Sequence, residues 1–180
     1  MNADWLYVSS LAGSMDALSA IFHHAKKADI KVFFNPGKDE LKQTAKLKGL
    51  LDDVEVLSVN KEEAMKIVEG DSLEELVRHL LHYVPVAIVS DGPNGVMASD
   101  GKTILRAGMY QDVKVIDRTG AGDAFGSGFL SQWAQGKSLK ESIVFASANS
   151  TSVVTKIGAK PGILHAGVKL HEMPLTETKF

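Results

Sequence analysis

Short apolar segments typical of strands alternate with helical patterns from the first residues of this 180-residue chain. Strand-like patterns occur at residues 5–8, 30–34 and 54–59, and helical patterns at residues 17–28 and 41–51. Strands that alternate with helices favour a mostly parallel sheet with right-handed crossovers and helices on its faces. The sequence therefore predicts an α/β fold.

The middle of the chain predicts a departure from a purely parallel sheet. Residues 84–89 form a further buried strand pattern, and Asp100-Gly101 marks a hairpin between residues 96–98 and 103–105. The sequence therefore predicts that strands later in the chain add to the sheet in antiparallel orientation. Capping boxes at Ser72 and Ser138 predict helix starts near Leu73 and Leu139.

The composition is that of an ordinary globular domain. Of the 180 residues, 44% are hydrophobic and 23% are charged, which allows a sizeable core, and we expect a single domain over residues 1–180. The formal net charge of -2 gives no basic surplus of the kind that favours nucleic-acid binding. No apolar run approaches the roughly 18 residues that a membrane span requires. We predict a protein that binds neither nucleic acid nor membrane.

Two further features of the composition predict a cytoplasmic location. Cysteine is absent, which excludes disulfides and thiol nucleophiles and fits a reducing compartment. The stretch from Met1 to Ser14 contains neither lysine nor arginine, unlike a secretory signal.

Residues 117–123, Asp-Arg-Thr-Gly-Ala-Gly-Asp, join a strand-like pattern at 113–116 to a helical pattern that begins at Ala124. We call this stretch the glycine segment. Its glycines allow a tight turn in which consecutive N–H groups point outward at a helix start, where the helix dipole adds about half a positive charge. A carboxylate beside such an anion cradle suggests that Asp123 takes a proton from an attacking hydroxyl. The structural alternative is an N-capping aspartate after a glycine turn.

Asn60 and Glu63 follow the third predicted strand and open a short helical pattern at residues 64–68. An N-cap asparagine with a capping-box glutamate is a complete structural explanation. Oxygen ligands at the carboxyl edge of a parallel sheet also suit a hydrated Mg²⁺ near phosphates. The residues themselves leave both interpretations open.

Three other patterns have better structural explanations. The two glycines of the glycine segment and Gly126 approximate a dinucleotide-binding fingerprint, but one extra residue precedes the third glycine. Residues 136–138 resemble the end of a P-loop, but they follow a predicted helix instead of a strand, which favours a helix-helix turn. His79 and His82 share a helix face, which we interpret as solvated and not as a metal site.

Taken in order, these motifs resemble the ribokinase-like carbohydrate kinases, also called the phosphofructokinase-B (pfkB) family. The glycine segment followed by Ala124-Phe125 resembles the C-terminal signature of that family, and Asn60-x-x-Glu63-Ala64 resembles its Mg²⁺-associated motif. Other positions in the expected order are Asn35-Pro36, Gly92 to Gly95, Asn149 and Gly158-Ala159. The resemblance covers nearly the whole chain, and it implies a three-layer αβα ribokinase-like fold with a mostly parallel sheet and a late antiparallel hairpin.

The resemblance implies an ATP-dependent phosphotransferase that transfers the γ-phosphate to a hydroxymethyl group of a sugar or nucleoside. Asp123 would be the base, and Asn60 and Glu63 would hold the water shell of Mg²⁺. The anion hole would consist of Gly120, Ala121 and Gly122. The implied nucleotide-binding positions are Ser90, Gly92, Gly95, Thr119 and, near the adenine, Asn149. The implied positions of a K⁺ site are Asp117, Thr119, Val153, Lys156 and Gly158.

Two departures from the family pattern affect these expectations. Gly162 stands where related enzymes often have a serine that helps to hold the cation. The resemblance implies that the N-terminal portion of the family, which carries the sugar-contacting aspartate and the lid, has no counterpart in these 180 residues. We therefore expect an N-terminally truncated fold with an exposed sheet edge or apolar patch, and a homodimer or a complementing N-terminal portion as partner. The alternative hypothesis is a nucleotide-binding or interaction module without an acceptor site.

Overall fold

The computed structural model of the chain describes residues 3–108, 110, 113–165 and 167–180. Its strands form one seven-stranded sheet in the order β1 to β7. The strands span Trp5–Val8, Lys31–Phe34, Val56–Asn60, Val86–Ser90, Val96–Ser99, Thr103–Ala107 and Leu175–Lys179. The α-helices α1 to α7 span Met15–Lys27, Lys38–Leu41, Thr44–Lys48, Lys61–Ile67, Leu73–Leu80, Ala121–Trp133 and Leu139–Val154.

The first four strands pair in parallel, and β5 runs antiparallel to β4. Asn60 and Ser90 stand opposite each other in the β3–β4 register, so these two strands end at the same level. This topology confirms the mostly parallel α/β sheet with late antiparallel strands that the sequence predicts. β1 lies at one edge of the sheet, with Trp5, Leu6 and Tyr7 half-buried along it.

The chain forms two compact units. The first comprises Met1–Gly92, Val96–Arg106 and Glu177–Phe180, and the second comprises Pro93–Gly95 and Ala107–Thr176. Helices α1 to α5 belong to the first unit, and α6 and α7 belong to the second. The expectation of a single domain over residues 1–180 stays a prediction.

The core of the first unit lies between the sheet and its amphipathic helices. In α1, Leu18, Phe22 and Ala25 recur on one face and are buried, as helical periodicity requires. The ring of Phe22 packs edge-to-face on Phe34 of β2, with ring centroids 5.1 Å apart. Among the described residues, no helix is long and apolar enough to cross a membrane.

The second unit is built on the close packing of α6 against α7. Phe129 is fully buried and stacks on Trp133, with ring centroids 5.6 Å apart. A Cβ placed on Gly128 would lie 3.2 Å from the Cα of Ala146 in α7. The absence of a side chain at this position therefore lets the two helix backbones approach.

Two boundary predictions around the glycine segment are wrong. Residues 113–116 form no strand; instead, the backbone N–H of Ile116 donates to the carbonyl of Val154 at the end of α7. The β-branched composition suggested a strand, but these residues bond to a helix end and Ile116 is exposed. Helix α6 begins at Ala121, three positions before the predicted start at Ala124.

Two other elements also differ from the sequence prediction. The single helix expected over residues 41–51 is shorter: α3 covers only Thr44–Lys48, and α2 ends at Leu41, the first residue of the predicted range. Strand β7 was not predicted, because its residues are mostly exposed and lack the alternation that marks a half-buried strand.

Candidate active site

The glycine segment forms the turn into α6. Gly120 is the N-cap residue and has a φ of 78°, in the left-handed region that favours glycine. A Cβ at Gly120 would lie only 2.6 Å from the Cβ of Ala159. Within the described residues no side chain caps α6. The Ala121 N–H donates to the Arg118 carbonyl at 3.2 Å, whereas the N–H groups of Gly122 and Asp123 have no side-chain acceptor there and are available to an anion.

Gly122 and Asp123 occupy the first turn of α6. A Cβ at Gly122 would meet no atom within 4 Å, and the side chain of Asp123 is exposed. Asp123 is the third helical residue and not the N-cap, so the interpretation of Asp123 as a capping aspartate is wrong. Its carboxylate is accessible beside the uncapped helix terminus.

The carboxylate of Asp117 joins the glycine segment to the loop after α7. Its Oδ1 accepts a hydrogen bond from the N–H of Thr119, and its Oδ2 accepts one from the N–H of Gly158, both at 2.9 Å. These two donors, Thr119 first, hold the pKa of Asp117 below its ordinary value. The ionised form of Asp117 therefore stabilises this turn.

The five positions predicted for a K⁺ site fall into two groups. Asp117, Thr119 and Gly158 are joined by the bonds of the Asp117 carboxylate. Val153 and Lys156 lie at the end of α7, where the Lys156 N–H donates to the Val153 carbonyl at 3.0 Å. Among the described residues, no hydrogen bond joins a member of one group directly to a member of the other, but the Asp117 N–H donates to the carbonyl of Val154, next to Val153, at 3.2 Å.

Gly162 is required by the backbone around it. Its φ is 92°, and a Cβ there would lie 2.6 Å from the carbonyl oxygen of Ser152. A serine at this position would strain the loop. The departure from the family pattern therefore has a steric reason in this chain.

Asn149 is buried between α6 and the loop after α7, with 3% of its surface exposed. Its Nδ2 donates to the carbonyl of Ala124 at 2.7 Å, and its Oδ1 accepts from the N–H of Leu164 at 2.8 Å. The neighbouring Ser150 donates its hydroxyl to the carbonyl of Ala121 at 2.9 Å. A contact between Asn149 and a nucleotide stays a prediction.

In the first unit, Asn60 and Glu63 form the predicted capping box. The N–H of Glu63 donates to Asn60 Oδ1, and the N–H of Asn60 donates to Glu63 Oε2, both at 2.9 Å. Burial raises the pKa of Glu63 despite the Asn60 N–H, which opposes the shift. A carboxylate offers about four acceptor positions, so the capping box leaves others for a hydrated cation. The capping role is confirmed, and the Mg²⁺ role stays a prediction.

The remaining predicted nucleotide positions lie at and after β4. Ser90 is the half-buried last residue of β4 and stands opposite Asn60 of β3. Gly92 opens a 3-10 turn with a φ of 51° and has open space around it. In the second unit, a Cβ at Gly95 would lie 2.1 Å from the carbonyl oxygen of Ala107, so only glycine fits there.

A buried carboxylate that the sequence analysis missed lies at the carboxyl edge of β1 and β2. Glu40 is fully buried, and its oxygens accept hydrogen bonds from the Ser10 hydroxyl and the N–H groups of Leu11, Gly13 and Gly37, at 2.8–2.9 Å. The first-turn glutamate after a glycine N-cap is the capping-box signal that would have found one of these bonds. The other three depend on residues 27 to 30 positions away.

Hydrogen bonds to Glu40 outweigh the effect of its burial. Burial acts to raise its pKa, but the donors from Gly13, Ser10 and Leu11 hold the pKa below its ordinary value. Glu40 therefore stays ionised and fixes the loop that follows β1.

The fold agrees with that of solved ribokinase-like kinases. Phosphofructokinase-2 from Escherichia coli, solved in complex with potassium, superposes with a TM-score of 0.75 at 19% identity, over 89% of this chain and 54% of its own. This likeness defines the class of fold. The sequence pattern of the pfkB family carbohydrate kinases matches residues 1–166, and the chain belongs to that family.

Curated relatives include kinases of sugars and of nucleosides. The ribokinase of Lactococcus lactis is 31% identical over 147 residues, which cover 80% of this chain and 45% of the relative. The cytidine kinase of Thermococcus kodakarensis is 27% identical over 142 residues, covering 77% of this chain and 51% of the relative. The chain thus spans about half the length of the curated relatives it matches.

Proposed function

We propose that the chain carries the phosphate-handling part of an ATP-dependent kinase whose acceptor is a hydroxymethyl group of a sugar or nucleoside. The observation that carries this proposal is the uncapped start of α6, where Asp123 lies in the first turn beside exposed Gly122. Membership of the pfkB family and relatives that phosphorylate small molecules support it.

The γ-phosphate of ATP would bind at the N–H groups of Gly120, Ala121 and Gly122. The acceptor oxygen attacks the γ-phosphorus while the bond to the oxygen that bridges the β- and γ-phosphates breaks and ADP leaves. The Asp123 carboxylate takes the proton of the acceptor hydroxyl. In a loose, metaphosphate-like transition state this proton can leave late, so a weak base in the right position suffices. Most of the rate would come from positioning and from neutralised charge.

The other predicted positions are assigned to the nucleotide and its cations. Ser90, Gly92, Gly95 and Thr119 would contact phosphates or ribose. Asn60 and Glu63 would hold the water shell of Mg²⁺, which supplies positive charge to the phosphates when bound. The proposed K⁺ positions remain Asp117, Thr119, Val153, Lys156 and Gly158. Use of ATP fits the cytoplasmic location that the sequence predicts.

The purified chain tests this proposal directly. It is incubated with Mg-ATP and a panel of sugars and nucleosides, and phosphorylated product is measured by mass spectrometry while nucleotide binding is measured by calorimetry. We expect binding and transfer to at least one acceptor. Binding without transfer to any acceptor would instead favour an interaction or nucleotide-binding module, and the absence of binding would contradict both.

A further inference from the structure

Two neighbouring side chains of α7 hold the first turn of α6. Asn149 donates to the Ala124 carbonyl, and Ser150 donates to the Ala121 carbonyl. These two carbonyls flank Gly122 and Asp123 in the chain. The backbone that carries the Asp123 side chain is thus bonded to α7 on both sides of that residue.

The other end of the Asn149 amide holds the loop after α7. Its Oδ1 accepts from the N–H of Leu164, while its Nδ2 donates to the Ala124 carbonyl. The reverse orientation of the amide would set oxygen against oxygen and donor against donor, so these two partners fix the side chain in one orientation. Asn149 therefore bridges α6 and the loop.

The same loop meets the glycine segment at two more points. The Gly158 N–H donates to Asp117, and Ala159 lies against Gly120 so closely that no Cβ would fit between them. Three attachments, one of them buried, therefore tie this loop to the start of α6. Of the three, the Asn149 bridge alone combines a buried side chain with bonds to both elements.

Space for Asn149 depends on a glycine of α6. A Cβ at Gly128 would lie 3.2 Å from both the Cβ and the Nδ2 of Asn149. An alanine at this position would press on the amide that bonds to Ala124. Because the same Cβ would lie 3.2 Å from the Cα of Ala146, Gly128→Ala disturbs the Asn149 bridge together with the packing of α6 on α7, without changing Asn149 itself.

We propose that Asn149 is a positioning residue that fixes the first turn of α6, and with it Asp123, against the loop of residues 158–164, and that it does not contact the nucleotide. This inference rests on the proposed function for its effect on the reaction. Because its amide is buried and both ends are bonded within the protein, Asn149 acts on the reaction through the backbone of α6.

Three variants separate the positioning role from simple loss of stability. Asn149→Ala removes both bonds, whereas Asn149→Asp keeps an acceptor for the Leu164 N–H and loses the donor to Ala124. Gly128→Ala disturbs the same amide from the other helix. Ile143→Val, at a fully buried apolar position of α7, is the matched control for a small loss of core packing.

The kinetic test compares the change in kcat with the change in the Kd for Mg-ATP in each variant. We expect kcat to fall by about tenfold or more in Asn149→Ala and Asn149→Asp, because small misplacements of reacting groups have effects of up to about 100-fold. The Kd for Mg-ATP should change much less than kcat, and Ile143→Val should retain kcat. A raised Kd at unchanged kcat would show a direct nucleotide contact and overturn the proposal, as would unchanged values of both.

Hydrogen exchange tests the bridge even if no acceptor is found. In the chain without ligand, Asn149→Ala should speed exchange at Leu164 and at Ala124, whose N–H donates to the Gly120 carbonyl, relative to Ile143→Val. Asn149→Asp should speed exchange in α6 while Leu164 remains protected. If Asn149→Ala does not fold, Gly128→Ala should speed exchange in α6. If the Asn149 variants exchange no faster in α6 than Ile143→Val does, the inference is overturned. If they exchange faster but the chain transfers no phosphoryl group, only the proposed function is contradicted.

Discussion

At the scale of the residue, the two glycines of the glycine segment have different roles, although the sequence presents them alike. Gly120 has a positive φ and lies against Ala159, whereas Gly122 lies in the first helical turn with open space around it. Of the two, only Gly120 has both a backbone conformation and a close contact, with Ala159, that require glycine. Gly122 can be tested as its matched control for stability.

We predict that Gly120→Ala lowers the free energy of unfolding by about 1–3 kcal/mol, because a side chain at a positive φ is strained and this one would also meet Ala159. Gly122→Ala should be neutral or stabilise by up to about 1 kcal/mol, since alanine is the better helix residue. Urea unfolding of both variants measures the difference. Equal effects would contradict the conformations described for these residues.

Local sequence was sufficient to predict some residue roles and not others. The caps at Asn60 and Ser72 follow from residues three positions apart, and both are present. The bonds of Asn149 and Asp117 reach Ala124, Leu164 and Gly158, which lie 15 to 41 positions away. No spacing rule encodes such pairs, so their roles became visible only with the fold.

At the scale of the element, the loop after β1 depends on a charge carried by α2. The lowered pKa of Glu40 means that its ionised form stabilises the folded state above the ordinary pKa of 4.5, and that this contribution is lost as the pH falls through the lower folded value. The loop and α2 should therefore loosen together in acid.

We predict that Glu40→Gln destabilises the chain at neutral pH by about 1–3 kcal/mol, because an amide nitrogen cannot accept the bonds that one carboxylate oxygen receives. The difference from wild type should shrink as the pH falls below 4.5, where wild type loses the same contribution. Urea unfolding over a pH series measures it, with the exposed Glu62→Gln as control. A difference that stays constant with pH would contradict the ionised state of Glu40.

Prediction of elements succeeded where burial and periodicity agree. Strands β2 to β4 are short and mostly buried and β1 is half-buried, and the apolar pattern identified each of them. It failed at residues 113–116, whose composition favours a strand but whose backbone bonds to the end of α7. It also failed at β7, because an exposed strand has no buried face to leave a pattern.

At the scale of the whole molecule, the order of weak motifs identified the family better than any single motif. The capping box at Asn60 and the turn at Gly120 each have a local structural explanation. Their arrangement in one α/β chain is that of the pfkB family, which the comparison over residues 1–166 confirms. The family match does not identify the acceptor, since the chain spans about half the length of its curated relatives.

The proposed cation site predicts a dependence on the monovalent salt. We expect phosphoryl transfer to be faster in K⁺ than in Na⁺ at equal ionic strength, because the larger ion suits a site formed by backbone carbonyls and the Asp117 carboxylate. Initial rates in chloride salts measure this, with choline chloride as the control for ionic strength. Identical rates in the three salts would remove the K⁺ proposal and leave the role of Asp123 untouched.

The most direct test of the central claim, that the start of α6 transfers a phosphoryl group with Asp123 as base, is the turnover of Asp123→Asn. We predict that this variant loses about 10²–10⁴-fold in kcat while it binds Mg-ATP at least as tightly as wild type, since a negative charge beside the phosphates is removed. Asp16→Asn removes the same charge from the first turn of α1 and is the matched control. Turnover by Asp123→Asn at the wild-type rate would contradict the claim.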